Sequence, residues 1–157
     1  MAITIPYSYN GVAGSTLLRT LSGPIAISTL VDQTVTVWNG IGWDTVVVKL
    51  VQTSQPLYLV TLTDGRTLQC SDGYRWYIQQ ASFAQFFEIK TKALHLNPAI
   101  WWTTLDTDPD GRSATTFPTI ASVVPAALPG DIYCAVGCVT GLMVVNGILS
   151  SAGSLPE

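Results

Sequence analysis

Charge is scarce in this chain: 11% of the 157 residues are charged and there is one histidine. A typical soluble domain is about one quarter charged, so part of this surface is expected to be covered by partner copies or a larger assembly. The seven cations, Arg19, Lys49, Arg66, Arg75, Lys90, Lys92 and Arg112, are scattered and outnumbered by ten acids. Without the basic stripe that phosphate neutralisation requires, nucleic acid is not an expected partner. Long apolar runs are also missing. MAITIPYSYN has no basic leader or apolar core of an export signal, and the apolar stretch Ile120 to Leu128 is interrupted by Pro125 and followed by Pro129. Neither export nor a membrane partner is expected. The three cysteines, Cys70, Cys134 and Cys138, are too few and odd in number for a complete disulfide framework. They fit reduced, buried thiols in a protein folded in a cytoplasm.

Apolar residues, by contrast, make up 48% of the chain, enough for one domain with its own core. They alternate in twos and are rich in β-branched and aromatic types, which predicts an all-β fold. Thr34 to Trp38 and Trp43 to Val51 read as strands joined by Asn39-Gly40-Ile41-Gly42, and Leu57 to Leu62 and Arg66 to Cys70 as strands joined by Thr63-Asp64-Gly65. Asn-Gly and Asp-Gly supply the positive φ angles that tight hairpins need. Tyr74 to Ile78 reads as a further strand, and Ala84 to Phe87 as a short helical turn. From Asn97 to Gly130 five prolines and the sequence DTDPDGRS predict an irregular, Pro-rich insertion. Strands resume at Ile132 to Val136, Leu142 to Val145 and, after Asn146-Gly147, Ile148 to Leu149. The expected organisation is an arm over residues 1–10, a domain over 11–149 and a small, polar, mobile tail over 150–157.

Four segments in order, GVAGSTLLRT, VTVWNGIGWDTVVVKL, LYLVTLTDGRTLQCSDGYRWYI and IYCAVGCVTGLMVVNGIL, resemble the successive blocks of inteins, the self-splicing Hint-fold family, in the style of small ribonucleotide-reductase inteins. The resemblance runs from about Gly11 to Leu149 and implies a Hint horseshoe of β-hairpins whose first and last strands meet at its centre.

The family's chemistry needs particular groups. A Cys, Ser or Thr opens the reaction by attacking the preceding carbonyl; the matching position is Gly11. A Thr-x-x-His element polarises the scissile amide, and here Ser71-Asp72-Gly73-Tyr74 stands in its place; a phenol with a pKa of about 10 is a poor substitute for imidazole. Gly141 holds the place of a later histidine, while Cys134 stands where such inteins often carry Asp or Cys. Leu149-Ser150-Ser151 runs into Ala152 and Gly153 where a cyclising Asn and an accepting nucleophile are required. With these roles missing together, the expectation is a domain that is not an enzyme. It would be retained as a scaffold for protein contacts in a homo-oligomer or viral particle, such as a bacteriophage capsid, decoration or tail subunit, and located in the virion. The alternatives are residual autoprocessing by Ser71 or a displaced nucleophile, and a calcium- or glycan-binding β module.

Other motifs are weaker. His95 lacks the G-x-S-x-G context of a hydrolase triad and reads as a structural residue. Cys70, Cys134, Cys138 and His95 form a Cys3His set only on paper, and buried inert thiols are the simpler reading. Asp106, Asp108 and Asp110, followed by Gly111, match the opening of a calcium loop, but its twelfth position is Phe117 rather than Glu, so a solvated turn is expected and no cofactor is assigned. Trp101 and Trp102 are adjacent and point to opposite faces if extended, so one of them, with Phe117, is expected to contact a protein partner rather than a glycan.

Overall fold

The computed structural model describes residues 10–40, 42–71, 74–80, 83–87, 102–103 and 120–153. The strands are β1 (Val12–Ala13), β2 (Leu17–Thr20), β3 (Gly23–Ala26), β4 (Thr34–Trp38), β5 (Trp43–Gln55), β6 (Tyr58–Leu62), β7 (Thr67–Cys70), β8 (Trp76–Gln80), β9 (Phe83–Phe87), β10 (Trp102–Thr103), β11 (Ile120–Pro125), β12 (Gly130–Val136), β13 (Leu142–Val145) and β14 (Ile148–Ser151). A short 3-10 turn spans Ile27–Leu30. The described pairings are antiparallel except for one parallel bridge between Val31 and Val48, and they run in the order β10-β8-β14-β13-β2-β4-β5-β12-β1-β7-β6-β11, with β3 on β2 and β9 on β8. The described residues thus form the all-β fold expected from the sequence, built almost wholly of antiparallel pairings.

The long strand β5 joins the two halves. Its residues 43–47 pair with β4, and from Val47 to Gln55 it pairs with β12. Two register shifts, between Gly130 and Ile132 and between Ile132 and Tyr133, bend β12 over it. The expected turns supply the hairpins. Gly40 and Gly65 have φ of 96° and 93°, and Asn39 Oδ1 accepts the Gly42 N–H at 2.9 Å. Asn146 and Gly147, with φ of 51° and 74°, turn β13 into β14. Asn146 also ties that turn to two other strands, accepting from Leu17 N and donating to the Thr67 carbonyl, both at 2.8 Å.

Alternation places Val60, Leu62, Leu68 and Cys70 in the core, where they join Val12, Leu18, Ile27, Val37, Val46 and Val48. β14 does not alternate, because Ile148, Leu149, Ser150 and Ser151 are all buried in a strand covered on both faces. The last strand therefore continues past Leu149, and Ser150 is fully buried where a mobile tail is expected from the sequence. Two further expectations are corrected. The helical turn at Ala84 to Phe87 is strand β9, paired along β8 from Trp76↔Phe87 to Gln80↔Phe83; tertiary pairing overrides the local preference of Ala and Gln. Within the Pro-rich segment, β11 pairs with β6, ending on Pro125↔Tyr58. Proline is tolerated there because β11 lies at the edge of the strand order, where its missing N–H leaves no ladder bond unmade.

Candidate functional site

Four chain segments converge where the first and last strands meet. β1 lies between β7 and β12, with Val12 opposite both Cys70 and Tyr133. Just before it, Gly11 and Ser71 bind each other twice: Gly11 N–H donates to Ser71 Oγ at 3.1 Å, and Ser71 N–H donates to the Gly11 carbonyl at 3.0 Å. The nitrogen of the Asn10–Gly11 peptide bond is thus held against a hydroxyl. From the other side comes the end of β14, anchored to β12 by Ala135 N–H donating to the Ala152 carbonyl at 2.8 Å.

Close backbone approach explains both terminal glycines. A Cβ on Gly11 would stand 2.9 Å from Tyr133 N and 3.0 Å from Tyr133 C, and closer still to its carbonyl oxygen. A Cβ on Gly153 would stand 2.6 Å from Cys134 Cβ and 2.8 Å from the Asn10 carbonyl oxygen, on a backbone with φ of 80°. Neither position has room for a nucleophilic side chain. Gly141 differs: its φ is 72°, but a methyl group there would have nothing within 4 Å of it. Its carbonyl accepts the Ala152 N–H at 2.9 Å.

The contacts of Gly153 also locate the thiol. Cys134 Cβ and the Asn10 carbonyl oxygen both lie against the point that a Gly153 side chain would occupy. Cys134 is fully buried, and desolvation pushes its thiol pKa up to about 11. It remains protonated at neutral pH, with a small thiolate fraction that grows with alkali.

Tyr74 holds a different post. Its hydroxyl donates to the Ser151 carbonyl at 2.6 Å and receives the Ser150 hydroxyl, also at 2.6 Å. Complete burial pushes its pKa far above the ordinary phenol value. Trp76 packs edge-on against it, with ring centroids 6.1 Å apart. Tyr74 therefore clamps β14 and carries no proton at neutral pH that it can readily give up.

Of the positions named from sequence, Gly11, Ser71, Cys134, Ala152 and Gly153 come together at the centre, with Tyr74 bracing β14 and Gly141 bonded to Ala152. Asn10, 7% exposed, and Ser150 were not named as site residues from sequence: Asn10 precedes Gly11 and its carbonyl lies against Gly153, and Ser150 bonds the Tyr74 hydroxyl. Among the described residues no three His, Cys, Asp or Glu side chains gather as metal ligands. His95, Trp101, Asp106, Asp108, Asp110 and Phe117 lie outside the described residues, as does the side chain of Trp102.

Solved structures share this architecture. The chain is similar to a DnaB intein from Synechocystis sp. PCC 6803, with a TM-score of 0.70 at 15% identity over 92% of this chain and 99% of that one. It is similar to the Ssp DnaB Mini-Intein variant M86, with a TM-score of 0.69 at 14% identity over all of both chains. It is also similar to the gp41-1 intein, with a TM-score of 0.66 at 16% identity over 90% of this chain and 98% of that one. No family model and no curated protein matches the sequence. The intein, or Hint, fold expected from the sequence blocks is the fold of this chain. One expectation is overturned by that likeness: the chain was expected not to be an enzyme, yet its structural neighbours are inteins, self-splicing autoprocessing domains.

Proposed function

We propose that the chain is an autoprocessing Hint domain that cleaves itself at the Asn10–Gly11 bond, with Cys134 as a displaced nucleophile. The carrying observation is the placement of Gly153 against both Cys134 Cβ and the Asn10 carbonyl oxygen. The Cys134 sulfur attacks the Asn10 carbonyl carbon and its proton passes to the departing Gly11 nitrogen, so the C–N bond breaks as a thioester forms. Ser71 assists from its position on that nitrogen: it accepts the amide N–H before the reaction and can turn its own O–H toward the amine as the nitrogen becomes basic. Gly153 provides no onward acceptor, so the reaction supported here is cleavage of one bond rather than ligation of two segments.

The test is intact-mass measurement of the full chain incubated at pH 8 to 9, with and without dithiothreitol, a small thiol that captures thioesters and leaves ordinary Asn-Gly bonds alone. A fragment beginning at Gly11, accelerated by the thiol and lost in Cys134→Ala, is expected. A wild-type chain that stays whole with the thiol, or a Cys134→Ala chain cleaved as fast as wild type, overturns the proposal.

A second, compatible role is supported by the surface: contacts with protein partners in an assembly, the bacteriophage particle being the setting that the family resemblance suggests. Leu21, Trp43, Leu128 and Val139 are exposed on a chain poor in charge. Light scattering that finds a monomer at every concentration, in a protein absent from purified particles, counts against it.

A further inference from the structure

Asp44, near the start of β5, lies away from the centre yet holds the segment that carries the end of β14. We infer that it is a positioning residue, which latches the loop 137–141 to the β4–β5 turn and through that loop sets where Gly153 stands. The inference rests on the proposed cleavage for its effect on rate, and goes beyond it by naming what keeps the converging segments in place. Asp44 Oδ2 accepts the Val139 N–H at 2.7 Å and an N–H of Asn39 Nδ2 at 3.2 Å, so one carboxylate oxygen joins loop and turn. Beside it the Thr140 hydroxyl donates to the Asn39 carbonyl at 3.4 Å and accepts the Leu142 N–H at 3.2 Å.

The loop is also closed on itself, by Gly141 N–H donating to the Cys138 carbonyl at 3.2 Å and Cys138 Sγ donating to the Leu142 carbonyl at 2.8 Å. A displacement at Val139 is therefore passed on to Gly141, and Gly141 carries β14. Its carbonyl accepts the Ala152 N–H at 2.9 Å, and Gly153 follows against Cys134 Cβ and the Asn10 carbonyl oxygen. The turn touches β14 directly as well, since a Cβ on Gly40 would stand 3.0 Å from Leu149 Cδ1. Val139 is 86% exposed, so burial of its side chain does not pin the loop, and the polar ties to the turn must do so. A hydrogen bond to a charged acceptor is about twice as strong as a neutral one, which makes the Asp44 bond the main tie. Misplacing reacting atoms by about 1 Å from a distant site can slow a reaction about a hundredfold, so a loosened latch reaches the chemistry.

Amide hydrogen exchange followed by NMR, together with the rate of fragment formation, tests the inference on the whole chain of wild type, Asp44→Ala, Asp44→Asn and Thr140→Val. In Asp44→Ala the Ala152 amide should exchange at least tenfold faster, while the Leu62 amide, bonded to the Arg66 carbonyl in the β6–β7 hairpin, keeps its wild-type rate. Cleavage at Gly11, with or without dithiothreitol, should slow at least fivefold. Asp44→Asn keeps an acceptor and should recover most of both properties. Thr140→Val removes the weaker tie and should speed Ala152 exchange by a smaller factor, a result that stands even where Asp44→Ala does not fold. Ala152 exchange that stays at the wild-type rate in these variants, or rises only in step with Leu62, overturns the inference. So does faster Ala152 exchange with cleavage as rapid as in wild type. A wild-type chain that yields no fragment with dithiothreitol overturns the cleavage reading alone, and Ala152 exchange then decides the latch by itself.

Discussion

Replacing Gly11 with alanine isolates the steric claim at the centre of this structure. The added methyl would sit 2.9 Å from Tyr133 N and 3.0 Å from Tyr133 C, with the Tyr133 oxygen nearer still. All are backbone atoms of β12, which is held on its other side by β5, so they cannot swing aside as a flexible side chain would. Overpacking of this kind costs about 1–3 kcal/mol, offset by about 0.4–1 kcal/mol from the lower entropy of the unfolded alanine chain. The net loss is about 1–2 kcal/mol, which for a domain of this size lowers Tm by about 2–8 °C. Gly42→Ala is the control: nothing lies within 4 Å of its new methyl, so Tm should hold or rise slightly. Thermal unfolding followed by circular dichroism measures both. A Gly11→Ala protein that melts at or above the wild-type temperature refutes the argument that backbone crowding fixes this glycine. Gly11→Cys should be penalised in the same way, so returning a nucleophile to position 11 would not restore chemistry there.

Further outcomes follow from other contacts. Tyr74→Phe removes the hydroxyl that joins Ser150 to the Ser151 carbonyl inside the core, and should cost about 1–3 kcal/mol in urea unfolding. Asn146→Ala loses two bonds, to Leu17 N and the Thr67 carbonyl, and places alanine at a φ of 51°; a loss of about 2–4 kcal/mol is expected, measured in the same way. Cys134 and Tyr74 both keep their protons to higher pH when folded than when unfolded. The unfolded chain releases protons first, so stability holds below the ordinary thiol value of 9.0 and falls as pH rises, the Cys134 share being lost by about 11. Urea midpoints across that range should decline, less steeply in Cys134→Ala. Self-cleavage should accelerate about tenfold per pH unit below that same value, as the thiolate fraction grows, and a rate independent of pH would remove the thiolate from the reaction.

Local chemistry made much of the fold legible. Asn39-Gly40, Asp64-Gly65 and Asn146-Gly147 declare their turns because few other residue pairs tolerate their backbone angles. Alternation located β4 to β8 and β12 to β13 for the same local reason. Strand β9 was opaque: its residues suit a helix in isolation, and the pairing with β8 that decides otherwise is tertiary. Ser150 and Ser151 read as tail because small polar residues are common there, whereas Tyr74 supplies the buried partner that admits them to the core. At the centre, the missing side chains of Gly11 and Gly153 were visible, but their cause was not. The reason lies in Tyr133 and Cys134, more than a hundred residues from Gly11, and the same contacts bring Asn10 and Cys134 to one point.

The near contact between residue 153 and the carbonyl of residue 10 makes the domain almost a closed ring. A short peptide could bridge the gap, and the chain could then be opened at the Asp64-Gly65 turn, whose glycine has open space around it, without changing a strand neighbour. Such a circular permutant would hold its shape through the sheet rather than through its order of synthesis, and a host protein carrying the domain in a loop would see only two adjacent attachment points.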